Sequence, residues 1–330
     1  MNIRERAEAA EKNLLCEYAS FASTSLGRDR EEEECSIRTC YQRDRDRVIH
    51  SSAFRRLKHK TQVFLAPQSD YYRTRLTHTL EVAQIARTIA RALRLNEDLT
   101  EAASLAHDLG HTPFGHAGEK ALNDLSGIGF RHNEQSVRVV ERLEKNGSGL
   151  NLTKEVRNAV LCHSGSEKAF TPEGRVLRYA DKIAYINHDI DDAVAAGILA
   201  EEDIPVNLRD ALGYRKTERI NTLVSDIVYN SGSDITMSKE CEKAFSALRS
   251  FMFKNVYESA VCREEDEKAY DIVKKLYKYY INNVHKMPQT YVIIANREGG
   301  ERAVCDYIAG MSDTYALKQY NKLFIPRLEF

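Results

Sequence analysis

The stretch His107-Asp-Leu-Gly-His-Thr-Pro-Phe-Gly-His-Ala-Gly-Glu119 decides the fold prediction for this chain. Within thirteen residues it contains three histidines, an aspartate and a glutamate, directly after an apolar helical run. An imidazole nitrogen next to a carboxylate oxygen suits a divalent first-row metal ion of borderline to hard character. The proline excludes a regular helix at this point, so the later histidines lie on a loop or at a new helix start. We therefore expect a hydrolytic metal site whose other ligands come from elsewhere in the chain.

Length and composition set the broad class of the protein. The 330 residues are enough for one large domain or for one domain with an appended lobe. The net charge of −1 favours no polyanionic partner, and seven scattered cysteines without a C-x-x-C pair are typical of reduced cytosolic thiols. The N-terminus does not resemble a signal peptide, and no apolar run approaches the roughly 18 residues that span a bilayer. We expect a soluble, cytoplasmic protein without membrane association.

Apolar residues recur at helical spacing through most of the chain, which predicts an all-α fold. The alternative of a short strand over 290–295 has little support, because a single strand would have no partner. We predict a helical catalytic core over 1–197, including an N-terminal helix, and a helical C-terminal lobe over 198–330 packed on it. The predicted helices cover residues 4–18, 43–57, 75–95, 97–108, 132–145, 153–163, 175–196, 215–230, 238–261, 264–284 and a region from 301 onward.

Histidines are concentrated around the opening stretch. Eight of the ten lie between His50 and His163, about a third of the chain. A single histidine is more often a hydrogen-bonded core or surface residue than a ligand. A concentration of histidines with carboxylates between them instead favours a site.

A metal site of this kind needs three or four protein ligands and open positions for water and substrate. His78, His107 and Asp108 supply three from two predicted helices. Asp181 lies beside the apolar stripe of a third helix, where a carboxylate is costly unless it is paired or binds a metal. The alternative for Asp181 is a salt bridge to Arg178 or Lys182.

Basic residues are enriched beside the predicted site. Residues 38–75 contain ten lysines and arginines against three aspartates, a surplus of seven charges. This region is either a solvated basic surface or a wall that binds a polyanion. The acidic run over 31–34 is interpreted as a solvated loop or helix end.

The order His78, His107-Asp108, Asp181 resembles the H…HD…D signature of the HD-domain metal-dependent phosphohydrolases. A narrower resemblance is to the bacterial dGTPase-like deoxynucleoside triphosphate triphosphohydrolases, and it covers most of the chain. The motifs that carry it are the opening stretch and Arg43-Asp-Arg-Asp-Arg-Val-Ile-His-Ser51, Phe54-Arg-Arg-Leu57, Lys60-Thr-Gln-Val-Phe64, Tyr72-Arg-Thr-Arg-Leu-Thr-His78, Phe130-Arg-His-Asn133, His163-Ser-Gly165, Tyr179-Ala-Asp-Lys-Ile-Ala-Tyr185 and Asp306-Tyr-Ile-Ala-Gly-Met-Ser-Asp313.

The resemblance implies an HD-domain fold and hydrolysis of dGTP, or of several dNTPs, to a deoxynucleoside and inorganic triphosphate. The implied cofactor is a divalent metal ion, Mn²⁺ or Mg²⁺, with Fe²⁺ and Co²⁺ as alternatives. The family tends to form homo-oligomers, often hexamers, and single-stranded DNA is a further candidate partner. With a triphosphate as substrate, the basic surplus would offset its negative charge.

The resemblance also implies roles for individual residues. His78, His107, Asp108 and Asp181 are the expected metal ligands. His116 is the candidate general acid for the leaving 5′-oxygen, with Glu119 to orient it and His132 as a supporting catalytic residue.

The remaining implied residues contact the substrate. Gln62 and Asp189 match positions that hydrogen-bond the 3′-hydroxyl, and Tyr185 would pack under the sugar and exclude a 2′-hydroxyl. Arg75 and Lys182 match phosphate contacts, and His111 faces the α-phosphate. His163 is left open between a position next to the site and an ordinary helix-end histidine.

Two alternatives remain at this point. One is another HD phosphohydrolase, such as a 5′-deoxynucleotidase that releases orthophosphate from monophosphates. The extended basic region argues against it. The other is a regulator that binds nucleotides or single-stranded nucleic acid through a degenerate site. The intact set of predicted ligands and the His116–Glu119 pair argue against that one.

Overall fold

The computed structural model describes residues 1–62 and 73–326, and its regular structure there is helical. The described residues contain no strand, and their only bridge is an isolated antiparallel pair between Thr61 and Thr74. The predicted all-α class is therefore confirmed. We find among these residues no helix with both the length and the hydropathy that crossing a membrane requires.

The α-helices, in chain order, are α1 Ile3–Leu14, α2 Cys40–Ile49, α3 Ser52–Arg56, α4 Arg75–Ala92, α5 Glu97–Ala106, α6 Gly115–Leu125, α7 His132–Arg138, α8 Glu144–Gly147, α9 Lys154–Cys162, α10 Pro172–Ala195, α11 Val206–Leu212, α12 Lys216–Asn230, α13 Lys239–Met252, α14 Ala260–Asn282, α15 Gln289–Glu298, α16 Gly300–Ala309 and α17 Asp313–Phe324. Two π-helical segments follow α7 and α13, over Val139–Leu143 and Phe253–Tyr257. Single 3-10 turns occur at Ala22–Thr24, Leu57–His59, Glu201–Asp203 and Val284–Lys286.

Local capping explains where the structure departs from the predicted helices. The helix expected over 43–57 is divided into α2 and α3, because the Ser51 side chain accepts a hydrogen bond from Phe54 N and starts a new helix. The segment 290–295, open to a strand assignment, belongs to α15. Helix α11 was not predicted, since its seven residues are too few to show a clear period.

The chain divides into two compact units, each assembled from three segments. The first contains Met1–His50, Thr77–His107 and Leu150–Ser259. Its longest helix is α10, which packs against α5, α9 and α12. Ile183, Ile186 and Ile190 are fully buried on α10, and Ala102 and Ala106 are fully buried on α5. Small residues on α5 allow this close approach.

The second unit contains the described residues of Ser51–Leu76, Asp108–Gly149 and Ala260–Phe330. Its core forms where α6 packs on α14, and α14 also packs on α16 and α17. Leu122, Val273, Leu276 and Ile308 are fully buried there. The units are built from interleaved segments, because 198–259 cluster with the first and the described residues of 51–76 and 108–149 with the second. The predicted division at residue 197 stays a prediction. Helical periodicity carries no information on such long-range pairing.

The basic residues of α2 are paired with acidic residues within the first unit. Arg47 donates to both oxygens of Glu32 at 2.6 and 2.7 Å, and Arg43 lies 3.2 Å from the same carboxylate. Arg45 lies 3.3 Å from Asp98. The acidic run lies in an exposed loop, as predicted, and its Glu32 is in addition a partner of the basic run. This part of the charge surplus is neutralised by the protein and does not form a wall open to a polyanion.

Asp44 is the buried member of the same helix. Its side chain is fully buried, pairs with Arg28, and accepts from Thr153 N at 2.8 Å and Thr153 Oγ1 at 2.7 Å. Burial raises the pKa of Asp44, although the Arg28 charge and the Thr153 hydrogen bonds oppose this effect. The carboxylate therefore joins three distant segments in one network.

We expect Asp44→Ala to lower the free energy of unfolding by about 3 kcal/mol or more, because it leaves the Arg28 guanidinium without its buried partner. Urea denaturation measures the loss. Asp46→Ala, on the same helix, is the control. Its carboxylate is partly exposed and pairs with the exposed Arg38, so a much smaller loss is expected. Equal losses in the two variants would contradict the assignment.

Candidate functional site

Three predicted site residues and His163, whose role was left undecided, form a histidine–aspartate cluster in the first unit. Its members are His78, His107, His163 and Asp181. His78 lies on α4 and Asp181 on α10, while His107 and His163 are the C-terminal cap residues of α5 and α9. Nε2 of His78 lies 3.2 Å, and Nε2 of His107 3.7 Å, from Oδ1 of Asp181. The three histidines are almost completely buried.

The helix ends fix the orientation of two imidazoles in this cluster. Nδ1 of His107 lies 2.6 Å from the carbonyl oxygen of Ser104, and Nδ1 of His163 lies 2.7 Å from that of Val160. A carbonyl oxygen only accepts, so Nδ1 carries the hydrogen in both rings. The lone pair of each neutral ring is then on Nε2, the arrangement in which a histidine binds a metal ion.

The donor set of this cluster fits a divalent metal ion. His107, His163 and Asp181 each offer one ligand atom, and these atoms lie within 4.8 Å of one another. Burial by itself would raise the pKa of Asp181, but the hydrogen bond from His78 and the neighbouring imidazoles outweigh it and lower the pKa to about 2. Two nitrogen donors and an ionised carboxylate suit Mn²⁺, Fe²⁺ or Co²⁺. Of the four predicted ligands, His78, His107 and Asp181 belong to this cluster.

The fourth predicted ligand, Asp108, follows His107 directly in the chain and belongs to the second unit. It is almost fully buried and accepts a charge-assisted hydrogen bond from Nη1 of Arg75. Another nitrogen of Arg75, Nη2, donates to the carbonyl oxygen of Gln62 at 3.3 Å. The Gln62 side-chain oxygen is buried and has no hydrogen-bond partner among the described residues, so it is available to a ligand.

The second unit contains a Glu119 cluster, which consists of His111, His116, Glu119 and His132. One carboxylate oxygen of Glu119 accepts from the backbone N–H of His132 at 2.8 Å, and Nδ1 of His132 lies 2.9 and 3.0 Å from the two oxygens. Nδ1 of His116 is farther away, 3.8 Å from Glu119, and its side chain is 79% exposed. The direct partner of Glu119 is therefore His132, and His116, which Glu119 was predicted to orient, lies farther away.

The starts of α6 and α7 position Glu119 and His132 for this contact. His132 is the first residue of α7, where backbone N–H groups have no partner within the helix. Glu119 supplies that partner from α6. Phe114, which precedes α6, and Gly115, its first residue, have φ of +61° and +56°, which turns the chain between His111 and the helix. A Cβ on Gly115 would lie 3.3 Å from the Gln62 carbonyl oxygen, so a side chain there would be strained.

Two histidines of the Glu119 cluster, His111 and His132, have pKa values that are shifted in opposite directions. Burial lowers the pKa of His111 well below its usual value, and the positive charges of Arg75 and His132 lower it further. Burial also acts to lower the pKa of His132, but the hydrogen bond and charge of Glu119 outweigh it and raise the pKa. The two rings stack at 4.6 Å between centroids, 21° from parallel. An imidazole shifted toward its neutral form thus lies against one shifted toward its protonated form, an arrangement suited to acid–base chemistry.

The predicted sugar and phosphate contacts Lys182, Tyr185 and Asp189 follow one another along α10 in the first unit. Tyr257 donates a hydrogen bond from its hydroxyl to Oδ2 of the buried Asp189. Burial raises the pKa of Tyr185 to about 12, and the nearby charge of Arg249 opposes this. Burial lowers the pKa of Lys182, and the positive charge of Arg249 contributes to the same shift.

Sequence reasoning missed Arg249 and Tyr257, and it left His163 open. Arg249 also lines a surface cavity of 580 Å³ together with Ser246, Ser250, Phe253, Lys254 and Glu258. No motif around Arg249 or Tyr257 indicates a site, since both become visible only through their neighbours on α10. For His163 a signal existed: like His107, it directly follows a helix whose last turn offers a carbonyl group three residues earlier.

Comparison with known proteins gives long matches. Residues 75–186 match the HD domain, and residues 235–322 match the Phosphohydrolase-associated domain. The chain is 57% identical, over 99% of its length and 97% of the relative, to the "Deoxyguanosinetriphosphate triphosphohydrolase-like protein" of Caldanaerobacter subterraneus subsp. tengcongensis. It is 53% identical, over 99% of both chains, to the protein of the same name from Clostridium perfringens strain SM101.

Among solved structures, the crystal structure of a hypothetical protein from Aquifex aeolicus is similar with a TM-score of 0.50. The match covers 86% of this chain and 68% of the other, at 20% identity. At that identity the likeness supports the fold alone.

We expect Asp181→Ala to weaken Mn²⁺ binding by at least about tenfold, because it removes the carboxylate of the histidine–aspartate cluster. Isothermal titration calorimetry with Mn²⁺ measures the affinity. Asp191→Ala on the same helix is the matched control, since Asp191 pairs with Lys216 at 2.8 Å and should leave the affinity unchanged. An unaltered Mn²⁺ affinity in Asp181→Ala would show that the cluster does not hold the ion.

We expect Glu119→Gln to lower the pKa of His132, because it removes the charge that raises it. In the wild type the pair stabilises the fold fully below the ordinary histidine pKa of about 6.5. That contribution is lost as pH rises through the raised pKa of folded His132. Imidazole NMR titration measures the shift, and Glu134→Gln, exposed on α7, is the control. A His132 titration that is the same in Glu119→Gln and wild type would refute the pairing.

Proposed function

Because the chain belongs to the deoxyguanosinetriphosphate triphosphohydrolase-like family of HD-domain proteins, we propose that it hydrolyses deoxynucleoside triphosphates to a deoxynucleoside and inorganic triphosphate. The observation that carries this proposal is the His132–Glu119 pair with the neutral His111 stacked on it. This arrangement follows the His107-Asp108 pair in the chain and provides both a held proton and a proton acceptor. The substrate is dGTP or several dNTPs.

We propose His78, His107, Asp108 and Asp181 as the ligands of a divalent metal ion, Mn²⁺ or Mg²⁺. Such an ion would polarise a phosphate oxygen and lower the pKa of bound water. His163 supports the assignment, because its Nε2 has the same fixed orientation as that of His107. Arg75 donates a charge-assisted hydrogen bond to Asp108, which suits a carboxylate that serves as a ligand.

Proton transfer is assigned to the Glu119 cluster. In the proposed reaction a water oxygen forms a bond to the α-phosphorus, and the bond from that phosphorus to the 5′-oxygen breaks. The leaving oxygen takes up a proton. His116 is the proposed donor, since its exposed ring is free to approach a ligand while Nδ1 stays near Glu119. Glu119 and His132 form the hydrogen-bonded pair next to His116 and support it. His111 faces the α-phosphate.

We assign binding of the substrate to basic, acidic and neutral side chains. Lys182 and Arg75 would contact phosphate oxygens, Gln62 and Asp189 the 3′-hydroxyl, and Tyr185 would pack under the sugar and leave no room for a 2′-hydroxyl. These roles follow the sequence resemblance.

To these we add Arg249 and Tyr257. An exposed guanidinium near Lys182 suits a further phosphate contact, and Tyr257 orients the Asp189 carboxylate by a direct hydrogen bond. Assembly into a homo-oligomer, a cytoplasmic location and binding of single-stranded DNA accompany the family assignment as proposals.

Product analysis tests the reaction. Each of the four dNTPs, and GTP, is incubated with the protein and Mn²⁺ or Mg²⁺, and the products are separated by chromatography. We expect a deoxynucleoside and triphosphate as first products, and little turnover of GTP. Release of orthophosphate from a deoxynucleoside monophosphate, with no triphosphate formed, would instead favour a 5′-deoxynucleotidase. Tight binding of single-stranded DNA without turnover of any dNTP would contradict an enzyme.

Two variants separate metal binding from proton transfer within this test. Asp108→Ala should lose both metal and turnover. His116→Ala should keep the metal and lose about a hundredfold or more in rate, the typical contribution of a general acid. A rate near that of the wild type in His116→Ala, together with an inactive His132→Gln, would move the donor role to His132.

A further inference from the structure

The motif Asp306-Tyr-Ile-Ala-Gly-Met-Ser-Asp313 has no role in the proposed chemistry. It spans the end of α16 and the start of α17, within the part of the chain that matches the Phosphohydrolase-associated domain. Three of its polar groups contact segments that carry or flank the Glu119 cluster. These groups are the carboxylates of Asp306 and Asp313 and the carbonyl oxygen of Ala309.

Asp313 joins two of these segments. Its Oδ1 accepts from the backbone N–H of Phe114 at 2.9 Å. Its Oδ2 accepts from the backbone N–H of Thr61 at 2.8 Å and also from the Thr61 hydroxyl. Phe114 is the left-handed residue before α6, midway between His111 and Glu119. One carboxylate therefore fixes the turn that sets the direction in which α6 presents Glu119.

Lys60 and Asp306 make similar contacts with the segments that contain His111 and His132. The buried Lys60 amine donates to the carbonyl oxygen of Ala309 at 2.7 Å and to that of His111. Asp306 is fully buried and accepts from Gln135 Nε2 at 2.9 Å and from Arg138 Nη2 at 2.7 Å. Both partners of Asp306 lie on α7, the helix that begins with His132.

We infer that Asp313, together with Asp306 and Lys60, positions the Glu119 cluster, so that the C-terminal motif sets the spacing of His111, Glu119 and His132. The catalytic consequence of this inference rests on the proposed function. Its structural part does not, because the pairing of His132 with Glu119 can be observed without substrate. A displacement of about 1 Å in such a cluster lowers a rate by up to a hundredfold, so this motif matters without touching the substrate.

The test compares Asp313→Asn with wild type and with Asp271→Asn. Asparagine keeps the shape of the side chain but replaces one accepting oxygen by an NH₂ group, so the contacts to Thr61 and Phe114 cannot both persist. Asp271 is an exposed aspartate of α14 and serves as the matched control. The measurements are kcat and KM for dGTP with Mn²⁺, the Mn²⁺ affinity, and the imidazole NMR titration of His132 without nucleotide.

We expect Asp313→Asn to lose about tenfold or more in kcat, with KM and Mn²⁺ affinity little changed. His132 should release its proton at lower pH than in wild type, because its contact with Glu119 loosens. Asp271→Asn should match the wild type in every measurement. An Asp313→Asn protein with the wild-type His132 titration and wild-type kcat would overturn the inference.

The His132 titration also keeps this inference separate from the proposed function. If wild type turns over no dNTP, the proposed function fails, and the titration alone decides about the motif. If Asp313→Asn does not fold, Thr61→Val takes its place, since it removes only the hydroxyl contact to Asp313. A lower His132 titration midpoint in Thr61→Val then supports the inference, and an unchanged one overturns it.

Discussion

Carboxylates that accept hydrogen bonds from the backbone N–H groups of distant segments hold this helical protein together. Glu173 on α10 accepts from Ser20 N at 2.9 Å and from Asn96 N at 3.0 Å, and Glu144 accepts from Ala53 N at 2.8 Å. Asp44, Asp313 and Glu119 make the same kind of contact. A helix satisfies its own backbone except in its first and last turns, so N–H groups at helix starts and in loops must find acceptors elsewhere. An ionised oxygen is a stronger acceptor than a neutral one, and the hydrogen bonds offset part of the cost of burying its charge.

Hydrogen-bond acceptors also fix the histidines in both clusters of the candidate site, but with different effects on the imidazole rings. In the first unit, carbonyl groups at two helix ends accept the Nδ1 hydrogens of His107 and His163, which leaves Nε2 as the atom of each ring that would bind a metal ion. In the second, a carboxylate takes the Nδ1 hydrogen of His132 and favours its protonated form. The chemistry of a histidine is decided here by whether its partner is neutral or charged. The histidines of the two clusters are thus suited to different roles, metal binding in the first unit and proton transfer in the second.

Much of the fold and part of the site could be predicted from the sequence, and the limit is physical. Apolar periodicity and caps are local, so most helices were expected near their observed bounds, and the residues His78, His107 and Asp181 were found by type and context. Contacts over long sequence separations were not accessible. The pairing of the exposed Glu32 with Arg47 was not predicted. Glu119 was expected beside His116, which lies 3.8 Å away, but its direct hydrogen bond to His132 was not predicted. Arg249 and Tyr257 could not be recognised from the sequence, because only their interactions with residues of α10 relate them to the candidate site.

The division of the chain into interleaved segments also bears on how the protein is made. Each compact unit needs three stretches separated by stretches of the other, so neither can be completed early in synthesis. Helix α5 packs on α2, which precedes it, but its contacts with α9 and α10 form only after those later helices have been made, and α6 lacks its main partner until α14 follows. Contacts of such high sequence separation slow folding and leave apolar helices exposed while the ribosome is still at work. We expect a nascent chain of this topology to expose apolar helix faces until its later segments have been made.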